Sequence, residues 1–324
     1  MKNSRFGIWA GILLLFSLAQ HVLAQEEFPA RPIKLVVGYA AGGSADFTAR
    51  VVGQRMAQVL GRPVIVENRP GAAQNLAAAS LAKSPADGYT LLLVGTSLAV
   101  NPGLYERLPF DLEHDFKAVG AVVSVPLLVV TRSNSTLLDL GGLVTEAHKK
   151  PGGLSYGSSG NGSLTHLSVE RFKKQSNTSL VHIPYRGSAP MLTDLMAGQI
   201  DVAFDVMSSA YPQVKAGKLR ALAVTSPRRS VVAPTVPTLD ELGYAGLGLM
   251  SWYGILAPAG TPDKVISILN GALRQSLADP KVQEVLLASG SEPTPGTPQE
   301  FQKFFDSEIL KWSAEARRLH LKLD

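Results

Sequence analysis

The chain contains no cysteine among its 324 residues. This absence excludes disulfide bonds, thiol catalysis and cysteine-ligated metals, so packing alone must stabilise the fold. It also excludes a lipid anchor attached through cysteine. Histidine is scarce as well, and no two of the six have HxH or HxxxH spacing. The sequence therefore predicts neither a metal site nor a bound cofactor.

Long hydrophobic runs are also lacking, apart from one near the N-terminus at residues 6–18. That run is shorter than the roughly 20 residues needed to span a bilayer core. It follows Lys2 and Arg5 and precedes Val22, Leu23 and Ala24. A basic, then apolar, then small-residue pattern is typical of a cleaved export signal. We predict that residues 1–24 are a signal peptide and that the mature chain begins near Gln25.

Charge is modest, with a formal net charge of +5 that falls to +3 once Lys2 and Arg5 are removed. No basic run is interleaved with aromatic residues, so the sequence predicts no nucleic-acid partner. A small positive excess is compatible with an anionic ligand. With 45% hydrophobic and 18% charged residues, the composition is typical of a globular protein with more than one core.

Apolar runs and amphipathic segments alternate after residue 32, which favours an α/β fold with mostly parallel sheets. The predicted strands are 33–38, 64–67, 90–95, 127–131, 154–157, 180–184, 201–204, 219–225 and 252–257. The predicted helices are 44–60, 74–83, 136–149, 163–175, 189–197, 263–277, 280–288 and 298–319.

No Pro/Gly/Ser-rich tether divides the chain, so two beads on a string are not indicated. Instead, short apolar strands at 127–131 and 221–225 bound the middle third. A chain that crosses twice between two lobes would produce this arrangement. We predict lobe one at residues 28–125 plus 237–324, lobe two at 126–236, and a two-strand hinge that closes on ligand.

Two glycine- and serine-rich loops, residues 38–46 and 157–166, each connect a predicted strand to a predicted helix. Ligands in parallel α/β sheets bind where such loops lie. Ser44 and Ser163 are predicted N-caps, and two helix N-termini facing one cleft would form an anion site without Lys or Arg. The alternative is that both loops are ordinary strand-to-helix turns.

Two enzyme motifs deserve comparison with these loops. Residues 153–157 read G-x-S-x-G, the motif of the hydrolase nucleophile elbow, but Ser155 falls inside a predicted strand and not on a turn. An esterase using Ser155 is therefore the lesser alternative. A dinucleotide fingerprint fails because Thr165 stands where its third glycine is needed. His166 and Asp205 are candidates for ligand contact, the alternatives being a helix-surface position and a turn cap.

The order and spacing of several motifs carry a specific resemblance. They are PIKLVV at 32–37, GGSAD at 42–46, PVIVENRPG at 63–71, DGYTLL at 87–92, YGSSGNGS at 156–163, HIPYRG at 182–187, GKLRALAVT at 217–225 and APAGTP at 257–262. Across nearly the whole mature chain, the sequence resembles the Bug family, the periplasmic receptors of tripartite tricarboxylate transporters.

The resemblance implies a type 2 periplasmic-binding-protein fold, without catalysis, that captures a small carboxylate and delivers it to membrane permease subunits. It implies a monomer in the periplasm; a sensor role with a sensor kinase as partner is the alternative. By position in the family's loops and strand ends, the implied ligand-binding residues are Gly42, Gly43, Ser44, Thr96, Ser97, Gly160, Asn161, Gly162, Ser163, Thr165, His166 and Asp205. Tyr39 and Asp46, in the first loop, complete the candidate set.

The sequence departs from the family pattern in three places. Prolines are usual where Gly38 and Ala41 stand, and asparagine is usual where Val206 follows Asp205. The glycine-rich turn before Asn75 reads Ala-Ala-Gln at 72–74. These departures leave the fold expectation intact.

Overall fold

The computed structural model describes residues 28–319. The predicted signal peptide at 1–24, and residues 320–324 of predicted lobe one, lie outside this range. The described strands are β1 to β10 in chain order: Ile33–Val37, Val64–Asn68, Thr90–Gly95, Phe116–Arg132, Leu154–Ser158, Leu180–Pro184, Val202–Val206, Leu219–Val224, Met250–Pro258 and Glu292–Pro293. The described helices are α1 to α10: Ser44–Leu60, Asn75–Ala82, Thr96–Val100, Leu140–Lys149, Leu164–Ser176, Ser188–Ala197, Met207–Lys215, Asp263–Leu277, Pro280–Ala288 and Pro298–Arg318.

The central strands are apolar on both faces because helices cover both sides of the sheets. In β1, Leu35 packs into one hydrophobic cluster and Val36 into the other. Leu91 and Leu92 of β3 divide in the same way. Continuous apolar runs, rather than alternation, are what a two-sided burial of this kind requires. This is why short runs such as 33–38 and 90–95 were readable as strands.

A first sheet has the order β2-β1-β3-β9-β4, with the short β10 beside β4. Strands β2, β1 and β3 are parallel, whereas β9 is antiparallel to β3 and β4 is antiparallel to β9. Strand β4 therefore runs in the same direction as β1 and β3. Helix α1 packs against α8, and α10 against α3 and β4.

A second sheet contains β6, β5 and β7 as parallel strands, with β7 and β8 each antiparallel to β4. Strand β4 belongs to both sheets: its residues 116–126 pair with β9, and its residues 127–132 pair with β7 and β8. Since β4 runs parallel to β1 and opposite to β7, the carboxyl ends of the two parallel sets point toward each other. The architecture is two α/β lobes, as predicted.

The return crossing is fastened to β4 through Thr225. Its N–H donates to the Leu127 carbonyl at 3.0 Å, and its Oγ1 accepts from the Leu127 N–H at 2.8 Å. The same hydroxyl donates to the Leu249 carbonyl at 2.8 Å. Strand β9 begins one residue later. Two segments therefore cross side by side between the lobes.

Most predicted elements match closely, and 90–95, 263–277 and 280–288 match to the residue. The exception in length is β4, predicted at 127–131 and observed from Phe116 to Arg132. Its first half contains Gly120 and pairs with β9 through two register shifts, so this part of the strand is irregular. Helix α7 was not predicted, because Pro212 lies inside it and proline normally breaks a helix interior.

The segment between β8 and β9 contacts helix α5 of the second sheet. Arg171 donates to the Gly246 carbonyl at 2.6 Å, and Gln175 donates to the Ala245 carbonyl at 3.1 Å. The Tyr244 and Phe172 rings lie 5.1 Å apart. The lobe boundaries at 125/126 and 236/237 remain predictions. The contacts of residues 244–246 with α5 favour a second boundary that lies later in the chain than residue 236.

Thr225→Val tests the crossing. The change leaves the Leu127 N–H and the Leu249 carbonyl buried without the partners described above, and we expect the free energy of unfolding to fall by about 2–4 kcal/mol. Thr48→Val is the matched control, because the Thr48 hydroxyl is buried without a hydrogen-bond partner in the described residues. Valine there removes an unsatisfied group, so stability should be unchanged or slightly higher. Equal losses for the two variants, measured by urea unfolding, would contradict this role of Thr225.

Candidate functional site

A small cavity lies between the lobes where the two sets of strand ends meet. Its volume is about 20 Å³, room for roughly one water molecule. Among residues 28–319, no charged side chain lines it, and hydroxyl groups are frequent. The lining residues are Tyr39, Gly43, Ser44, Ala45, Thr96, Ser97, Ser159, Leu164, Thr165, Ser188, Val206, Ser251 and Tyr253.

Four helices begin at this inner cavity. Their first residues all line it: Ser44 of α1, Thr96 of α3, Leu164 of α5 and Ser188 of α6. The first-turn N–H groups of a helix have no intrahelical partner, and each helix N-terminus carries a partial positive charge of about half a unit. The cavity is thus surrounded by backbone donors from both lobes. Such an arrangement favours an anion that accepts hydrogen bonds.

The two lobes touch across the cleft. The Ala40 N–H donates to the Arg186 carbonyl at 3.0 Å, the Leu164 N–H donates to Ser97 Oγ at 3.2 Å, and the hydroxyls of Ser44 and Ser208 are hydrogen-bonded. A Cβ placed on Gly43 would lie 3.5 Å from the Ser188 Cβ. The described conformation is therefore closed.

An outer cavity of about 260 Å³ adjoins the inner one. Both are lined by Tyr39 and Ser159. The outer cavity also contacts Tyr105 and Asn161, and the exposed Arg186 is the one charged residue in its described lining. A molecule longer than the inner cavity has room in this direction.

The predicted site residues divide into three groups by position. Those lining the inner cavity are Tyr39, Gly43, Ser44, Thr96, Ser97 and Thr165. Gly160 and Asn161 line the outer cavity. Those in neither lining are Gly42, Asp46, Gly162, Ser163, His166 and Asp205. The fold brings both predicted loops to one cleft, and ligand contact by individual residues stays a prediction.

In the first loop, Asp46 stabilises the loop conformation through hydrogen bonds. Its carboxylate accepts from the Gly42 N–H at 3.0 Å and from Arg50 Nε at 3.0 Å. Burial would raise the pKa of Asp46, but these hydrogen bonds outweigh it and lower the pKa. The N-cap of α1 is Gly43, without a side-chain cap, and Ser44 is the first helical residue. The predicted N-cap at Ser44 is therefore wrong by one residue, which leaves the Ser44 hydroxyl in the cavity.

In the second loop, Ser163 is the N-cap of α5, as predicted, and accepts from the His166 N–H at 3.3 Å. The Gly162 N–H donates to His166 Nδ1 at 3.1 Å. That imidazole stacks on the His182 ring with a centroid distance of 4.0 Å. Burial lowers the pKa of both histidines to about 4, so both are neutral at pH 7. His166 thus stabilises the loop conformation through Gly162 and does not line the cavity.

Asp205 lies behind the cavity wall at the end of β7. It is fully buried and accepts from Ser188 Oγ at 2.5 Å and Ser209 Oγ at 2.6 Å. Burial raises the pKa of Asp205 to about 6. Since Ser188 lines the cavity, Asp205 orients a hydroxyl that faces it.

Sequence analysis missed five lining residues besides Ala45 and Leu164: Ser159, Ser188, Val206, Ser251 and Tyr253. A signal existed for Ser188, because Gly187-Ser188 at a helix start repeats the pattern of the two predicted loops. None existed for Ser251 and Tyr253. They lie on β9, an antiparallel strand whose carboxyl end faces away from the loops.

The esterase alternative requires a nucleophile elbow at Ser155, and the structure does not have one there. Ser155 lies within β5 and its hydroxyl donates to Asp201 Oδ2 at 2.9 Å. No strand-to-helix turn places it at the sheet edge, as a nucleophile elbow requires. Among residues 28–319, no cluster of three metal-ligating side chains occurs, and no helix is long and apolar enough to cross a membrane.

Two α/β lobes, crossed twice by the chain and closed over a polar cleft, define the class of type 2 periplasmic solute-binding proteins. The family model described as tripartite tricarboxylate transporter family receptor matches residues 48–321. The chain belongs to this family, whose receptors are periplasmic solute-binding proteins.

Individual relatives are similar to this chain in sequence or structure along nearly its full length. The chain is 36% identical to protein BugT of Bordetella pertussis over 325 residues, covering all of both chains. The structure of Rpa4515 from R. palustris with adipate has a TM-score of 0.88 and 33% identity, covering 92% of this chain and all of that one. MatC from Rhodopseudomonas palustris with bound malate has a TM-score of 0.85 and 29% identity, covering 89% of this chain and all of that one.

His166→Asn tests the second loop by pH. The folded-state pKa of His166 lies at about 4, below its unfolded value of about 6.5. Its neutral form therefore stabilises the fold, and this contribution, up to about 3 kcal/mol, is lost as pH falls from 6.5 through 4. Asparagine can accept from the Gly162 N–H and does not titrate, so its stability relative to wild type should rise over that window.

The difference between variants is needed because Asp205 titrates in the opposite direction. Its raised pKa means that its protonation stabilises the fold as pH falls through 6. His114→Asn is the control of opposite sign, since the Asp111 carboxylate raises the pKa of the exposed His114. Its stability relative to wild type should stay constant or fall, and should not rise, as pH decreases. Parallel profiles for wild type and His166→Asn, from urea unfolding at pH 7 to 4, would contradict the buried neutral imidazole.

Proposed function

We propose that this protein captures a small carboxylate in the inner cavity and delivers it to the membrane subunits of a tripartite tricarboxylate transporter. The observation that carries the proposal is the meeting of the N-termini of α1, α5 and α6 at one cavity whose described lining has hydroxyls but no charged side chain. Fixed dipoles in a desolvated cleft bind a carboxylate through charge-assisted hydrogen bonds.

The two adjoining cavities support a ligand with more than a single carboxylate group. When the lobes are slightly less closed than in the described conformation, one carboxylate would occupy the inner cavity while the rest of the molecule extends past Tyr39 and Ser159 toward Arg186. The adipate and malate bound by structural neighbours are both dicarboxylates. We therefore infer that short dicarboxylates are the first compounds to test.

Entry of such a ligand requires the lobes to open, because the closed inner cavity has room for about one water molecule. We propose a hinge motion at the crossing of β4 and the Thr225–Leu249 pair. The contacts of residues 244–246 with α5 support a moving lobe that extends to Leu249, and not only to residue 236.

Calorimetry against malate, adipate and other short di- and monocarboxylates tests binding, with Gly43→Val as the disabling variant. Alanine at this position would meet the Ser188 Cβ at ordinary contact distance, but the valine methyls reach further and hold the lobes apart. We expect affinity to fall at least about 100-fold through the loss of two or more charge-assisted hydrogen bonds. Gly271→Val is the control, because no atom lies within 4 Å of a Cβ there.

The absence of native cysteine allows the same variants to carry spin labels at Gln54, Lys174 and Asp240, all exposed. In wild type the 54–174 and 54–240 distances should shorten on ligand addition, while 174–240 should stay constant. Gly43→Val should stay open. Wild-type affinity in a folded Gly43→Val protein, or no carboxylate bound by wild type, would overturn the proposal.

Export is a further part of the proposal, supported by the pattern of residues 1–24. A receptor that works outside the cytoplasmic membrane must be secreted. The intact mass of periplasmic protein should correspond to a chain that begins near Gln25. Recovery of uncleaved chain in the membrane fraction would argue for an anchor instead.

A further inference from the structure

Gln74 is a buried polar residue at the base of the cleft that lines neither cavity. It is fully buried, and its backbone has a φ of 77°. Ala72 and Ala73 before it also have positive φ, at 45° and 47°. A left-handed conformation is unfavourable for a non-glycine residue, so side-chain interactions must hold this turn. They are those of Gln74 and the hydrogen bond that Asn101 Nδ2 donates to the Ala73 carbonyl at 3.0 Å.

The Gln74 amide pairs with the end of β3. The Gly95 N–H donates to Gln74 Oε1 at 3.2 Å, and Gln74 Nε2 donates to the Gly95 carbonyl at 3.3 Å. Strand β1 has already ended at Val37, so the amide occupies the place of a neighbouring strand. Because a backbone N–H can only donate and a carbonyl can only accept, the orientation of the amide is fixed.

The second proton of Gln74 Nε2 reaches Tyr39 Oη at 3.2 Å. An amide nitrogen does not accept, so the Tyr39 oxygen is the acceptor there and its own proton goes to Ser97 Oγ at 2.6 Å. Burial raises the pKa of Tyr39 to about 12, which keeps this proton in place. The direction of both hydrogen bonds follows from the orientation of one amide.

Ser97 Oγ receives two donors, the Tyr39 hydroxyl and the Leu164 N–H at 3.2 Å. These occupy both of its lone pairs. The Ser97 proton remains for another acceptor, and Ser97 lines the inner cavity. One of its two donors comes from the opposite lobe, so the arrangement is completed only when the cleft closes.

Gly38 makes room for Gln74. A Cβ at Gly38 would lie 2.7 Å from Gln74 Cγ and 2.8 Å from Gln74 Cβ. Any larger residue at position 38, proline included, would displace the amide. The two departures from the family pattern at positions 38 and 74 are therefore one structural change.

We propose that Gln74 is a positioning residue that directs the hydrogen-bond chain through Tyr39, so that Ser97 presents a proton to the inner cavity and the site selects a carboxylate over a primary amide. The selectivity for a carboxylate rests on the proposed function. The direction of the hydrogen bonds through Tyr39 and Ser97 is independent of that function. A carboxylate accepts at both oxygens, whereas a primary amide that turns its oxygen toward Ser97 places its nitrogen protons against the backbone N–H donors of the helix N-termini.

Gln74→Glu is expected to reverse the direction of the hydrogen bonds from residue 74 through Tyr39 to Ser97. The single proton of a neutral glutamic acid would go to the Gly95 carbonyl, and an ionised glutamate only accepts. In both forms Tyr39 donates to residue 74, Ser97 donates to Tyr39, and a Ser97 lone pair faces the cavity. The measurement is calorimetry with the tightest-binding acid of the dicarboxylate panel and with its fully amidated form. We expect the ratio of acid to amide affinity to fall at least about tenfold, the equivalent of one charge-assisted hydrogen bond.

Two further variants separate direction from packing and from charge. Gln74→Met keeps the length and lacks the amide, and its affinity ratio should lie between those of wild type and Gln74→Glu. Gln54→Glu adds the same charge to an exposed face of α1 and should keep the wild-type ratio. An unchanged ratio in folded Gln74→Glu and Gln74→Met, or equal losses for acid and amide, overturns the proposal.

Neutron diffraction from wild-type crystals in heavy water tests the direction without any ligand. Deuterons should lie on Tyr39 Oη toward Ser97 and on Ser97 Oγ toward the cavity. A Ser97 deuteron directed at Tyr39 overturns the inference about Gln74. If no carboxylate binds wild type while the deuterons lie as expected, the proposed function fails and the hydrogen-bond direction stands.

Discussion

The membership of β4 in two sheets is the constraint on which the rest of the molecule depends. Because this strand runs parallel to β1 and β3 and antiparallel to β7, it turns the carboxyl ends of both parallel sets toward one cleft. Every strand-to-helix loop of interest then opens at that cleft. Thr225 fastens the return segment to the same strand, which makes a narrow connection between otherwise separate lobes.

Helix N-termini, and not charged side chains, define the electrostatics of the cleft. Dipoles that are fixed by the fold need no reorganisation when an anion arrives. Supporting residues keep them fixed: Asp46 binds the first loop, His166 binds the second, and Asp205 holds the Ser188 hydroxyl. The ionisable groups of the site therefore act one layer behind the cavity, where burial shifts the pKa values of His166 and Asp205.

The turn at residues 72–74 shows how departures from a family pattern compensate each other. Three non-glycine residues adopt positive φ, a strain that the Gln74 amide offsets through its two hydrogen bonds to Gly95. Gly38 supplies the space. A polar side chain has thereby entered a position next to Tyr39 and Ser97, where it influences the cavity without lining it.

Local pattern in the sequence was sufficient for most helices and strands and for the two glycine-rich loops, whereas the two-lobe class followed from the resemblance of several motifs to a known family. Strands such as 90–95 are buried on both faces. Burial of this kind requires a continuous run of apolar residues, which can be recognised in the sequence. Tertiary structure alone decided that β4 is continuous from Phe116 to Arg132, since its pairing with β9 on one side and with β7 and β8 on the other joins its two halves into one strand. It also decided which loop residues face the cleft. Ser251, Tyr253 and Gln74 reach the site from distant segments, and His166 turns away from it to bind Gly162, because side-chain direction is set by contacts between segments far apart in the chain.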